Sequence, residues 1–217
     1  MTSEGAATKG VAGRVAFVTT LILVAALTLT ADVVPVASAA KGVLSGTMTL
    51  SSGAPYATTS TVTVDSTVRE ATVMRLQNGG GSWSAWTPYA PTTTWILAGG
   101  DGVKTVLAQY RTASGRRPLA LSDDIVLDTT APVTTTDFSG IPAALVTLVL
   151  TASDTVSGLA GTSYRIDGGP WQDGTLVTLC IHKRREPRAG DHTLEYFSTD
   201  HAGNVGPVQS LVVTLRR

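Results

Sequence analysis

The stretch GDHTLEYFSTDHAGN, residues 190–204, decides the fold. Leu194, Tyr196 and Ser198 fall on one side of an extended chain, and Asp200, Gly203 and Asn204 then close it with turn chemistry. A helix repeats its apolar residues every three to four positions, whereas alternation at two marks a strand half-buried against a core. The rhythm recurs in 104–111, where Val106, Ala108 and Tyr110 share a face. Beyond residue 40 the chain is a series of Thr- and Val-rich runs broken by Gly, Pro, Asp and Asn. That texture predicts an all-β fold.

Working outward, the first set of strands is expected at 43–50, 60–64, 72–77, near Trp86, and at 94–97, 104–111 and 125–127. A second set is expected at 145–152, 163–167, 176–181, 193–198 and 209–215. Short strands with turn signals at this spacing point to Greek-key sandwiches. The two sets overlay. Arg75-Leu76-Gln77-Asn78-Gly79 matches Arg165-Ile166-Asp167-Gly168-Gly169 at an offset of 90, and the run from Lys104 to Gly115 matches that from His192 to Gly203 at 88. An ordered pair of landmarks indicates an internal repeat. The expected organisation is two tandem immunoglobulin-like β-sandwich domains, 41–130 and 131–217. Between them Asp128-Thr129-Thr130-Ala131-Pro132 forms a short, stiff connector.

The phrases SYRIDGGPWQDGT (163–175) and GDHTLEYFSTDHAGN (190–204) resemble the OmpL47-type immunoglobulin-like repeats of bacterial extracellular proteins. MRLQNGGGSWSAWTPY (74–89), GDGVKTVLAQYR (100–111) and IVLDTTAP (125–132) are similar to related repeats of secreted and cell-surface proteins. The resemblance implies immunoglobulin-like folds in a secreted or surface setting. It implies no activity, because such repeats serve as spacers, adhesive modules and appendages of enzymes. Two departures stand out. Thr112-Ala113-Ser114-Gly115-Arg116 replaces an Asp-x-x-Gly-Asn turn, and a basic segment, 182–188, is inserted in the second domain.

The first 40 residues have a different character. Lys9 and Arg14 precede an uncharged run from Val15 to Leu29, and Ala37-Ser38-Ala39-Ala40 follows. A basic lead, an apolar middle and a small-residue exit make a signal peptide cleaved after Ala39 or Ala40. The run is shorter than the roughly 20 residues that cross a bilayer, so no membrane insertion is expected after cleavage. With 16 basic and 16 acidic side chains the chain is formally neutral. Neutrality gives no electrostatic basis for binding nucleic acid or an anionic membrane. The single cysteine, Cys180, has no partner for an internal disulfide, so apolar cores must hold the domains.

Three groups are candidate sites. In a sandwich the B–C and F–G loops emerge at one pole, which brings Asp154 together with Asp200 and Asn204. Such oxygen donors suit calcium, which takes about six to eight; the competing reading is that each side chain closes its own turn. Trp83 and Trp86 are candidate ligand contacts. Being three apart they should face opposite sides of any strand holding both, while Trp95 and Trp171 are expected to fill the space between sheets. Arg184 and Arg185, beside Lys183 and Arg188, are candidate contacts for an acidic partner.

Catalysis is not expected. Cys180 and His182 sit two apart but lack a third orienting group, and no nucleophile elbow, zinc helix, phosphate loop or dinucleotide fingerprint occurs. The expected function is a non-catalytic spacer or adhesion module, secreted or on the cell envelope, binding an extracellular protein or glycan. The alternatives are a calcium-dependent carbohydrate-binding module and a non-catalytic accessory or remnant of a larger secreted hydrolase.

Overall fold

Two-residue alternation becomes burial along nearly every long strand. In Thr61–Arg69 the residues Val62, Val64, Ser66 and Val68 are buried while their neighbours face outward. In Gly190–Asp200 the inward row runs His192, Leu194, Tyr196, Ser198, Asp200. The structure is a computed structural model, and it describes residues 43–113, 115, 117–181 and 188–217. The signal-peptide reading of residues 1–40 and the contact reading of Lys183, Arg184 and Arg185 lie outside the described residues.

The first half contains β1 (Ser45–Leu50), β2 (Tyr56–Ala57), β3 (Thr61–Arg69), β4 (Val73–Asn78), β5 (Thr87–Pro88), β6 (Thr92–Ile96), β7 (Gly102–Arg111) and β8 (Leu119–Leu127). The second contains β9 (Val133–Thr136), β10 (Leu145–Ser153), β11 (Leu159–Ile166), β12 (Gln172–Asp173), β13 (Leu176–Cys180), β14 (Gly190–Asp200) and β15 (Gln209–Leu215). One half pairs sheet β1-β3-β6 with sheet β2-β8-β7-β4-β5, and the other pairs β13-β10-β9 with β12-β11-β14-β15. Apart from β2, which joins β8 in parallel, the named strands of each half pair antiparallel in the same order, and in the second half an isolated parallel bridge joins Ala143 to Leu215 of β15. The fold is all-β, two tandem immunoglobulin-like sandwiches.

Each half has its own core. Leu50, Val64, Met74, Val106, Tyr110 and Ile125 are among the residues that fill the first. Leu148, Leu150, Val177, Leu179, Leu194 and Val213 are among those that fill the second. Above the second core a polar layer is satisfied internally. Ser198 Oγ lies 2.8 Å from both Thr134 Oγ1 and Thr162 Oγ1, so none of the three buried hydroxyls is left unpaired.

Cross-strand register corrects one part of the repeat. Gly79 N bonds Thr105 O, and Asp167 N bonds Thr193 O, so a single offset of 88 relates both β4 to β11 and β7 to β14. Trp83 then corresponds to Trp171, and Arg165 takes the place of Gln77 instead of Arg75. The overlay at 90 slips by two residues. A slip of two keeps every side chain on its own face, which is why the sequence pattern tolerates it.

Candidate functional site

Three carboxylates meet where the connector reaches the second sandwich. Asp128 directly follows β8, Asp154 opens the β10–β11 loop, and Asp200 ends β14 as the last residue of its inward row. One carboxylate oxygen from each lies within 4.8 Å of the others. Asp128 and Asp200 are buried and Asp154 is half-buried. Among the described residues no Lys, Arg or His forms an ion pair with any of them.

Backbone donors surround the cluster. Asp128 accepts from Thr130 N at 3.1 Å and Ser157 N at 2.9 Å. Asp154 Oδ1 accepts from Val156 N and Gly158 N at 3.0 and 2.8 Å. Gly158 has φ +77°, which spares a side chain the left-handed region. Asp200 Oδ1 accepts from Gly203 N and Asn204 N at 2.7 and 2.8 Å. The turn-closing chemistry expected of Asp154 and Asp200 is therefore present. Asn204 turns its amide nitrogen inward, donating to Asp200 Oδ2 at 2.8 Å and to Asp128 O at 2.9 Å. It braces the cluster from that position, and Asp128 is the third acid, which sequence reasoning assigned to the connector alone.

The connector is tied at both ends. Asp101, in the turn before β7, accepts from Thr129 N and Oγ1 at 3.0 and 2.8 Å and from Thr130 Oγ1 at 2.6 Å. The Thr130 hydroxyl, aided by Thr129, holds the Asp101 carboxyl below its ordinary range. Ser157 N and Asn204 Nδ2 grip Asp128 from the second sandwich.

The outer face of the five-stranded sheet carries a second group. Trp83 and Trp86 lie in irregular chain between β4 and β5, so the alternation argument does not apply to them. Both stack on Arg75, with its guanidinium 4.7 and 4.6 Å from their ring centres, and Arg111 lies 4.0 Å from the Trp86 ring. Neither ring fills the core. Trp95 packs against the first core and donates Nε1 to Asn78 Oδ1 at 3.0 Å. Trp171 is 39% exposed, edge-on to Phe197 and over Arg165, which corrects the expectation that it lies between sheets. Arg165 forms a bidentate pair with Glu195 at 2.7 and 3.0 Å, and each partner stabilises the other's charged form.

His192 was not singled out by the sequence. Its Nδ1 is 2.7 Å from Asp167 Oδ2 and its Nε2 is 2.7 Å from Arg188 O, so only an imidazolium donates to both acceptors. Cys180 is half-buried and outside any disulfide, and its proposed neighbour His182 lies outside the described residues.

No protein-family model and no curated protein matches the chain. Among solved structures it is similar to fibronectin(III)-like modules of Clostridium thermocellum CbhA, at 13% identity and TM-score 0.45, over 78% of this chain and 94% of that one. It is also similar to a tetra-tandem repeat in the extending region of a large adhesion protein, at 20% identity and TM-score 0.33, over 80% of this chain and 50% of that one. A third is the BSP domain of a biofilm-associated protein, at 12% identity and TM-score 0.27, over 80% of this chain and 29% of that one. The chain thus spans half of one adhesion structure and less than a third of the other.

Proposed function

We propose that this chain is an exported, non-catalytic module whose two sandwiches, 41–130 and 131–217, space or bind partners outside the cell. The observation that carries the reading is the connector, fastened by Asp101 on one side and by Ser157 and Asn204 on the other. Such bonds suit a spacer, which must hold successive domains at a set geometry. The basic lead, apolar run and Ala-Ser-Ala exit of residues 9–40 support export, and the quoted phrases support kinship with OmpL47-type repeats. No helix among the described residues is long and apolar enough to cross a membrane. The test is expression of the full chain in a bacterial host, followed by fractionation and mass measurement of the N-terminus. Export with a new terminus at Ala40 or Lys41 is the expected result. Uncleaved chain retained in the cytoplasm refutes the reading.

A second reading rests on the three clustered acids. Asp128, Asp154 and Asp200 each bring one carboxylate oxygen within 4.8 Å of the other two, with no basic partner among the described residues, and these hard oxygens would supply three of the about six to eight that calcium takes. The ion would lock the connector to the second pole. Its chemistry would be structural, through neutralising charge, and the melt that tests it opens the Discussion.

A further inference from the structure

We infer that the outer face of the β4–β7 sheet binds carboxylate-bearing polysaccharide, with Arg75 and Arg111 pairing to uronate groups and Trp83 packing on a sugar ring. The inference deepens the adhesive reading above and rests on it. Register places Arg75 opposite Gln109 and Arg111 opposite Val73, so the two arginines occupy adjacent rows of one face. Arg75 spends Nε and Nη2 on the neutral oxygen Gln109 Oε1, at 3.0 and 2.7 Å. Arg111 has a buried Nε with no hydrogen-bond partner, and its guanidinium lies over Trp86. Among the described residues no carboxylate pairs with either arginine.

The second sandwich shows the self-contained solution. There the arginine beneath a tryptophan, Arg165, is matched by Glu195 in bidentate geometry. On the first sandwich two guanidinium charges flank Trp86 and the carboxylate is missing. A planar carboxylate is the group that a guanidinium fork accepts best. The half-buried Trp83 indole, stacked on Arg75 alone, favours a sugar chain over an acidic peptide, because a tryptophan offers a large flat apolar surface to a ring.

The test follows tryptophan emission of the full chain during titration with trigalacturonate, maltotriose and hexaglutamate in low salt. Saturable change with trigalacturonate is expected, at least about tenfold tighter than with either other probe. Gln109→Glu supplies the missing carboxylate internally and should weaken trigalacturonate binding by about tenfold or more, with its melting midpoint at or above that of the parent. Arg111→Gln should weaken binding as well. No response to trigalacturonate, equal binding of maltotriose, tighter binding of hexaglutamate, or an unaffected Gln109→Glu protein would each overturn the inference. Export is read separately by fractionation, so an exported chain that ignores uronates leaves the broader reading intact.

Discussion

Asp154→Asn, melted in calcium and in chelator, separates a cation site from a set of turn caps. At the 4.8 Å separation that bounds the cluster, two carboxylates repel by about 3–4 kcal/mol at an effective dielectric near 20. Asp154 faces two such partners, but it is half-buried and its charge is already met by Val156 N and Gly158 N. A net repulsion of about 1–2 kcal/mol is therefore reasonable for the metal-free state. The amide keeps an oxygen that accepts both N–H groups, so the turn survives while the repulsion goes. In chelator the variant should melt above the parent. In calcium the order reverses. An ion present at about a hundred times its dissociation constant stabilises the parent by about 2.7 kcal/mol, and the variant has lost a charged ligand. At about 4–8 °C per kcal/mol for a sandwich of this size, the parent transition should rise by about 10–20 °C from chelator to calcium. Differential scanning calorimetry reads both comparisons. Coincident parent melts, with Asp154→Asn lower in both buffers, would refute the cation reading and leave the acids as turn caps.

Packing and acid stability give two further predictions. Leu194→Ala empties a fully buried position and should cost about 2–5 kcal/mol by urea denaturation, whereas Leu176→Ala, at a residue 61% exposed, should stay within about 0.5 kcal/mol. Besides Asp101, three carboxyls are held below their ordinary range: Asp65 by the Thr92 hydroxyl, Glu195 by Arg165, and Asp167, where burial opposes the shift but bonds from His192 and Thr193 N outweigh it. Each favours the folded state above the unfolded-chain value near pH 4 and loses that contribution as pH falls through its lower folded value. Urea midpoints should thus decline below about pH 4, and less steeply in Asp167→Asn; a midpoint that rises on acidification would contradict the assignment.

What the sequence made legible was whatever depends on alternation. The inward row Leu194, Tyr196, Ser198 can be read from six residues, because a strand has only two faces and the apolar side chains choose one. The short strands β9 and β12 carry too few residues to show a period, and they are fixed by pairing with β10 and β11. Trp83 and Trp86 fall where the chain leaves the strand, so spacing could not say that both would meet Arg75. The clustered acids mark the sharper boundary. Asp154 and Asp200 were placed together by the topology of a sandwich, but Asp128 joins them through Ser157, 29 residues away, and Asn204, 76 residues away. No local pattern encodes such contacts. One signal was nonetheless present in the quoted stretch. Continued by two residues, the alternation that buries Ser198 must also turn Asp200 inward. A carboxylate on the core side of a strand end requires donors, other acids sharing a cation, or both, and here it has the donors and two acids beside it.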